Sequence, residues 1–217
     1  MSVTDLLFPN RCLECNRIIA ADDLVCALCY SLINFRHYDF EEKNPLQEKC
    51  GLLFPVKYAF GLMQFEDESL SRKIVHQLKY ANREKVGSIL ADWVAERVKF
   101  NKDKPDVLIT IPLHPKKMKS RGYNQLHLFA ERLSQRLGIP CDHSLLKRNS
   151  HKTAQARKDR KHRAETENQF SCTREVSGQH ILIIDDVFTT GNTMSSAAWE
   201  LLQSGDNMVS VLVMAVD

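Results

Sequence analysis

The chain has 217 residues, 43% of them hydrophobic, which suits one sizeable core plus a small accessory module in an ordinary globular protein. No apolar run approaches the ~20 residues needed to cross a bilayer, and the opening Met1 to Asn10 stretch lacks the basic and apolar regions of a secretory signal; a cytoplasmic protein is expected. The net charge of +3 conceals an asymmetry: Lys102 to Arg163 holds sixteen Lys and Arg against five Asp and Glu, which points to an anionic ligand, with scattered surface lysines as the alternative.

The first module is short and cysteine-rich. Cys12 and Cys15 form one Cys-x-x-Cys pair, and Cys26 and Cys29 form a second. Four thiolates make the tetrahedral set that zinc prefers, and they leave no open coordination position, so the expected ion is structural. A module with so few apolar residues draws its folding energy from the metal. Two pairs side by side, without a thioredoxin-like context, favour metal over a redox role. Asn34 to Gly51 is polar, contains Pro45 and reads as a connector.

Val56 to Phe65 is aromatic and β-branched and predicts a strand or hairpin. Leu70, Ile74, Val75 and Leu78 recur at helical spacing, with Asp67 and Glu68 expected in the first turn. Val86, Ile89, Leu90, Trp93, Val94 and Val98 predict a second helix. His76 reads as a helix-surface histidine rather than a catalytic one. Val107 to Ile111 predicts a buried strand, stopped by Pro112-Leu113-His114-Pro115. A basic loop, Lys116 to Arg121, is expected next, then Gly122-Tyr123-Asn124-Gln125 and a helix carrying Leu126, Phe129, Ala130, Leu133 and Leu137, closed by Gly138. Ligands of an open parallel sheet bind at the carboxyl ends of its strands, so this basic loop is expected on the ligand-binding rim. Asn149 to Glu167 is dense in Lys, Arg and His. It reads either as a mobile lid with a short helix around Lys158 to Ala164 or as a solvated charged helix. Phe170 to Thr173 suggests a short strand, and Val209 to Val216 closes the sheet.

The chemistry concentrates in Ile181 to Thr193. Four aliphatic residues predict a strand buried on both faces; Asp185 and Asp186 are expected at its end, followed by hydroxyls, one glycine and a helix. A helix start offers unpaired N–H groups and positive dipole to a phosphate. Gly191 lets the backbone curl around the anion, and Thr189, Thr190 and Thr193 add donors. The carboxylates suit sugar hydroxyls or a divalent metal. A diol on one side and a phosphate on the other describe a ribose 5-phosphate.

This stretch resembles the signature of type I phosphoribosyltransferases. There the acidic pair grips the ribose 2- and 3-hydroxyls of phosphoribosyl pyrophosphate (PRPP), and the following loop, here Val187, Thr189, Thr190, Gly191, Asn192 and Thr193, cradles the 5-phosphate. The order of the double Cys-x-x-Cys, Leu78-Lys79-Tyr80, Ile111-Pro112-Leu113-His114, Arg121-Gly122-Tyr123-Asn124-Gln125, Gln155 with Arg163, and that signature resembles the ComF family of bacterial competence proteins and its relative GntX. The resemblance implies an α/β fold: a type I phosphoribosyltransferase-like doubly wound parallel sheet over residues 51–217, with a small zinc-ribbon module and connector over residues 1–50. It implies that the loop after Ile111-Pro112, with His114, faces pyrophosphate, that residues Gln155 to Arg163 form a flexible flap, and that Asp185, Asp186, Lys79 and Arg121 carry the catalytic roles, with magnesium accompanying PRPP. The family has a cysteine where this chain has Gln47, so Cys50 is assigned no metal. It usually has leucine where this chain has Lys158, so the flap closes differently. Negative charge builds on departing pyrophosphate, and Lys79, Lys116, Lys117 and Arg121 are the candidates, by family position and basicity, to stabilise it. Two functions follow. One is a role in natural transformation, with PRPP bound, single-stranded DNA contacted by Lys116, Lys117, Lys119, Arg157, Lys158, Arg160 and Lys161, and other competence proteins as partners. The alternative is an active magnesium-dependent phosphoribosyltransferase whose acceptor no residue names.

Overall fold

A computed structural model describes residues 8–78, 84–149 and 169–217. The spine is β5, His180–Phe188, whose Ile181, Leu182, Ile183 and Ile184 are all buried. It pairs in parallel with β2 (Val107–Thr110) on one side and with β6 (Met208–Val216) on the other; β6 pairs in parallel with β1 (Ala59–Gln64). The sheet order is therefore β1-β6-β5-β2. Near-continuous aliphatic runs in these strands match a parallel sheet covered on both faces. A second, two-stranded antiparallel sheet joins β3 (Leu146–Arg148) to β4 (Phe170–Cys172).

The helices are α1 (Ala27–Tyr30), α2 (Pro45–Gly51), α3 (Leu70–Gln77), α4 (Glu84–Ala95), α5 (Pro115–Arg121), α6 (Gln125–Leu137) and α7 (Asn192–Gln203). From β2 the chain passes through α6 to Cys141, which bridges Leu108 in parallel, outside β2. From β5 it passes through α7 to β6, in the opposite direction. Right-handed crossovers then put α6 and α7 on opposite faces, and a crevice opens between the carboxyl ends of β2 and β5. This is the doubly wound parallel architecture expected from sequence.

Several local expectations change. Lys116 to Arg121 is helical rather than a loop. Pro115 supplies the fixed φ of a first helical residue, the His114 side chain accepts from Lys116 N at 3.2 Å, and Gly122 (φ 80°) ends the helix. The expected connector contains α2, because Asn44 accepts from Gln47 N at 3.0 Å and Pro45 follows it. The same connector is fastened to the sheet: the Glu41 carboxylate accepts N–H bonds from Asn101, Lys102 and Asp103, which hold it below the usual carboxylate range although burial pushes the other way. Asp67 and Glu68 lie before α3, not in its first turn, because Ser69 is the cap. Val56 to Phe65 yields a single strand rather than a hairpin. Finally, β5 runs through Asp185 and Asp186 to Phe188, because β6 continues to pair with it as far as Val216.

The cysteine module rests against α4. Tyr30 and Phe35 meet the Trp93 ring edge-on at 5.1 and 5.6 Å, and Arg97 lies over Phe35 while donating to the Tyr30 hydroxyl at 2.7 Å. Lys73 on α3 pairs with Glu14 at 2.9 Å. Among the described residues, no helix is long and apolar enough to cross a membrane.

Candidate functional site

The last third of β5 presents two adjacent carboxylates to the crevice. Asp185 Oδ1 accepts from Asp186 N, and Asp186 Oδ1 from Val187 N, both at 2.8 Å. The second oxygen of Asp186 accepts from the Gln125 amide at 3.1 Å. Asp185 is half-buried. Its surroundings are poor in water and Asp186 carries like charge beside it, so its carboxyl is pushed up to about 8, against the pull of the Asp186 N–H and the Arg148 charge. Asp185 is therefore harder to ionise than an ordinary aspartate, and a sugar hydroxyl that donates to the pair would relieve its charge.

The strand gives way to Thr189 and Thr190, both exposed, and to Gly191, the cap of α7. Gly191 has φ 75°, and a β-carbon there would run into the side chains of Leu53 and Phe188. Both its conformation and its surroundings demand glycine. Asp185, Val187, Phe188, Thr189, Thr190, Gly191, Asn192, Thr193 and Met194 line a cavity of about 50 Å³. It is the size of a single small anion, at the N-terminus of a twelve-residue helix where N–H groups and dipole converge. A larger groove of about 670 Å³ lies between α4 and α6 beside Asp22. Its central charge, Asp92, is already paired with Arg132 and Arg136, so the smaller cavity is the better anion site.

Across the crevice stands α5. Lys116, Lys117 and Lys119 are exposed on it, and Arg121 is half-buried with its guanidinium donating to Gln125 Oε1. His114 uses Nδ1 to cap this helix, which constrains how it faces a ligand. Tyr123 donates to Leu78 O at 3.4 Å. The structure thus brings Asp185 to Thr193, His114 and the basic residues of α5 to the carboxyl edge of β5 and β2. Lys79, Arg157, Lys158, Arg160 and Lys161, with the remainder of the expected flap, lie outside the described residues.

Two side chains belong to the site although sequence reasoning did not single them out. Gln125 appeared only as a letter of a motif, and its contact with Asp186, 61 positions away, exists only in the fold. Arg148 on β3 lies over the Phe170 ring at 5.2 Å, donates to Gln169, and acts electrostatically on Asp185. The sequence signal was its place in the basic middle of the chain, which does not distinguish it from its neighbours.

At the other end of the molecule, the sulfurs of Cys12, Cys15, Cys26 and Cys29 all lie within 4.8 Å of one another. Cys12 and Cys29 are buried and Cys15 is exposed. Burial works against a Cys12 thiolate, yet backbone N–H groups of Cys15, Cys26 and Glu14 outweigh it and bring the thiol down to about 6; burial and its sulfur neighbours push Cys29 up to about 12. Four sulfurs crowded this closely fit a soft divalent cation such as zinc, whose charge relieves their mutual repulsion.

The carboxyl of Asp185 sits well above its unfolded value, so its contribution to stability is full below about pH 4 and is lost as pH rises towards about 8. Asp185→Asn should therefore match the wild type in thermal melting near pH 4 and exceed it increasingly up to pH 8.5, by several degrees. Melting curves across that range check this; a variant that is less stable at pH 8.5 contradicts the burial of the charge. For the cysteine cluster, Cys12→Ser should lower bound zinc from one ion per chain to near zero and soften the module. Elemental analysis together with limited proteolysis of residues 8–40 measures both.

A model of the phosphoribosyl transferase domain matches residues 127–211 of the chain. The Salmonella typhi DNA utilization protein YhgH is 31% identical over 149 residues, a match covering 64% of this chain and 63% of that protein, so the chain spans less than two thirds of this relative. The Bacillus subtilis competence protein ComFC is 35% identical over 121 residues, covering 55% of this chain and 48% of that protein. Competence protein F of Haemophilus influenzae is 31% identical over 223 residues, covering 94% of this chain and 96% of that protein. Likeness at that level, sustained from one end of both chains to the other, makes this protein a member of the ComF family, built around a phosphoribosyl transferase domain.

Proposed function

We propose that this protein binds PRPP, or another phosphoribosyl group, and uses that pocket in a ComF-like role in DNA uptake, handling incoming single-stranded DNA in the cytoplasm with other competence proteins. The observation that carries the reading is the small anion-sized cavity at the start of α7, with Asp185 in its lining and the Asp186 carboxylate next to it in sequence. The cavity takes the 5-phosphate through the N–H groups of α7 and the threonine hydroxyls. The carboxylates take the two ribose hydroxyls, and the exposed Lys116 and Lys117 of α5 face the pyrophosphate across the crevice. Magnesium would accompany PRPP; the Asp185–Asp186 pair would help to hold it, and it would supply charge that offsets the pyrophosphate. In the cysteine module, zinc is structural, with no position left open for a substrate. The names of the relatives, DNA utilization protein and competence protein, support the biological side of the reading.

The second reading, a magnesium-dependent phosphoribosyltransferase, is favoured by the basic helix on the pyrophosphate side, where charge on the leaving group would be stabilised. Release of pyrophosphate from PRPP in the presence of amines, bases or DNA ends separates turnover from binding.

Two outcomes are expected. Replacing Asp185 and Asp186 together by alanine should abolish PRPP binding in titration calorimetry while the circular dichroism spectrum stays unchanged, because two like charges are relieved within a strand held by its neighbours on both sides. Unchanged affinity sinks the assignment of the diol site. For DNA, Lys116, Lys117 and Lys119 are exposed together on one short helix, and the sequence adds Arg157, Lys158, Arg160 and Lys161. Fluorescence anisotropy with a labelled oligonucleotide should show affinity falling by roughly 0.7 log unit per log unit of salt for each phosphate neutralised. Reversal of Lys116, Lys117 and Lys119 to glutamate should flatten that slope. Salt-independent binding, or full binding by the reversed protein, means that this helix is a solvated face.

A further inference from the structure

We infer, resting on the assignment of Asp185 and Asp186 to the ribose hydroxyls, that Gln125 is a positioning residue that fixes the Asp186 carboxylate for the sugar, and that Arg121 acts through Gln125 by setting which way its amide points. Gln125 is the first residue of α6 and is 6% exposed. A guanidinium has donors only, so the Gln125 oxygen must face Arg121. Its NH2 group is thereby turned to Asp186 Oδ2, 3.1 Å away. The other oxygen of that carboxylate already holds Val187 N at 2.8 Å, so Asp186 is held at both ends and its plane cannot turn.

The backbone under Gln125 is fixed as well. Asn124 donates to Ile111 O at 3.1 Å and accepts from Leu126 N at 3.0 Å, which ties the start of α6 to the end of β2. A continuous connection therefore runs from β2 through Asn124 and Gln125 to Asp186 on β5. It spans the crevice and keeps the sugar-binding carboxylate in register with the basic helix, whose last residue is Arg121. A residue that merely filled space here would need no amide. An amide oriented by a cation on one side and aimed at a carboxylate on the other has a directional task.

The test uses the full chain and titration calorimetry with PRPP and magnesium, with inorganic phosphate as a probe of the α7 cavity alone. Gln125→Met keeps the volume and removes the donor. It should weaken PRPP about tenfold and leave phosphate affinity unchanged. Arg121→Met should cost a similar factor by letting the amide turn, and the double variant should lose no more than the worse single one, because both act on one carboxylate. Gln125→Glu sets a like charge against Asp186, so it should weaken PRPP more than Gln125→Met does and still leave phosphate affinity unchanged.

If the wild type binds PRPP and Gln125→Met binds it equally, or if the two single losses add fully, the positioning role is overturned while the functional reading stands. If the wild type does not bind PRPP, the functional reading falls and takes this inference with it. Should Gln125→Met fail to fold, Gln125→Glu and Arg121→Met decide: unchanged PRPP affinity in both overturns the role.

Discussion

Everything at the site depends on one arrangement: a pair of neighbouring carboxylates held inside a parallel strand that is bonded on both sides. Burying like charges together is unfavourable, and the rise of the Asp185 carboxyl to about 8 expresses that cost. The cost is tolerated because β6 pairs with β5 as far as Phe188, so the backbone cannot splay to let the carboxylates part. Neighbouring groups then serve the pair. The Asp186 and Val187 N–H groups, the Gln125 amide and the Arg148 charge each offset part of its repulsion. A ligand diol is suited to such a pair, since two hydroxyls can each donate to a carboxylate and relieve the crowded charge.

The crevice exists because β2 and β5 send their following helices in opposite directions. The two strands lie side by side, so one subsite is built by the loop after β5 and the other by the helix after β2, with Asn124 and Gln125 joining them. The cysteine module stands apart from this chemistry. Through Tyr30, Phe35 and Trp93 it clamps α4, and α4 packs along α6, the helix that begins with Gln125. The cysteine cluster and the site are therefore connected through two packed helices, without a residue in common.

Much of this was legible in the sequence, for identifiable reasons. Ile181 to Ile184 announce a doubly covered strand, and the glycine of the following loop announces a tight turn into a helix, because each signal is local. The cysteine spacing was legible for the same reason. What escaped notice was set by single caps or by distance. The Lys116 to Arg121 segment looked like a loop because its residues are charged, whereas His114, Pro115 and Gly122 make it a helix. The helix at Pro45–Gly51 was hidden by its polar composition and depends on the Asn44 cap. Asp185 and Asp186 looked like the end of a strand because hydrophobicity ends there, but strand pairing is a backbone property and continues past it. The task of Gln125 could not be read at all from a position 61 residues away from its partner.

The contact of Leu53 with Gly191 has a consequence for how separable the parts of this protein are. Leu53 follows α2, before the first strand of the sheet, and its carbonyl accepts from Trp199 Nε1 at 2.9 Å while its side chain presses on the loop glycine. The backing of Gly191 is thus contributed by the segment that leads in from the cysteine module. A sheet unit excised from Ala59 onward would keep every strand and both carboxylates, yet that glycine would lose its support on one side. Exchange of such units between proteins by recombination would succeed only where the incoming leader carries an apolar residue at this point. The stretch that looks like a mere tether is part of what holds that loop in place.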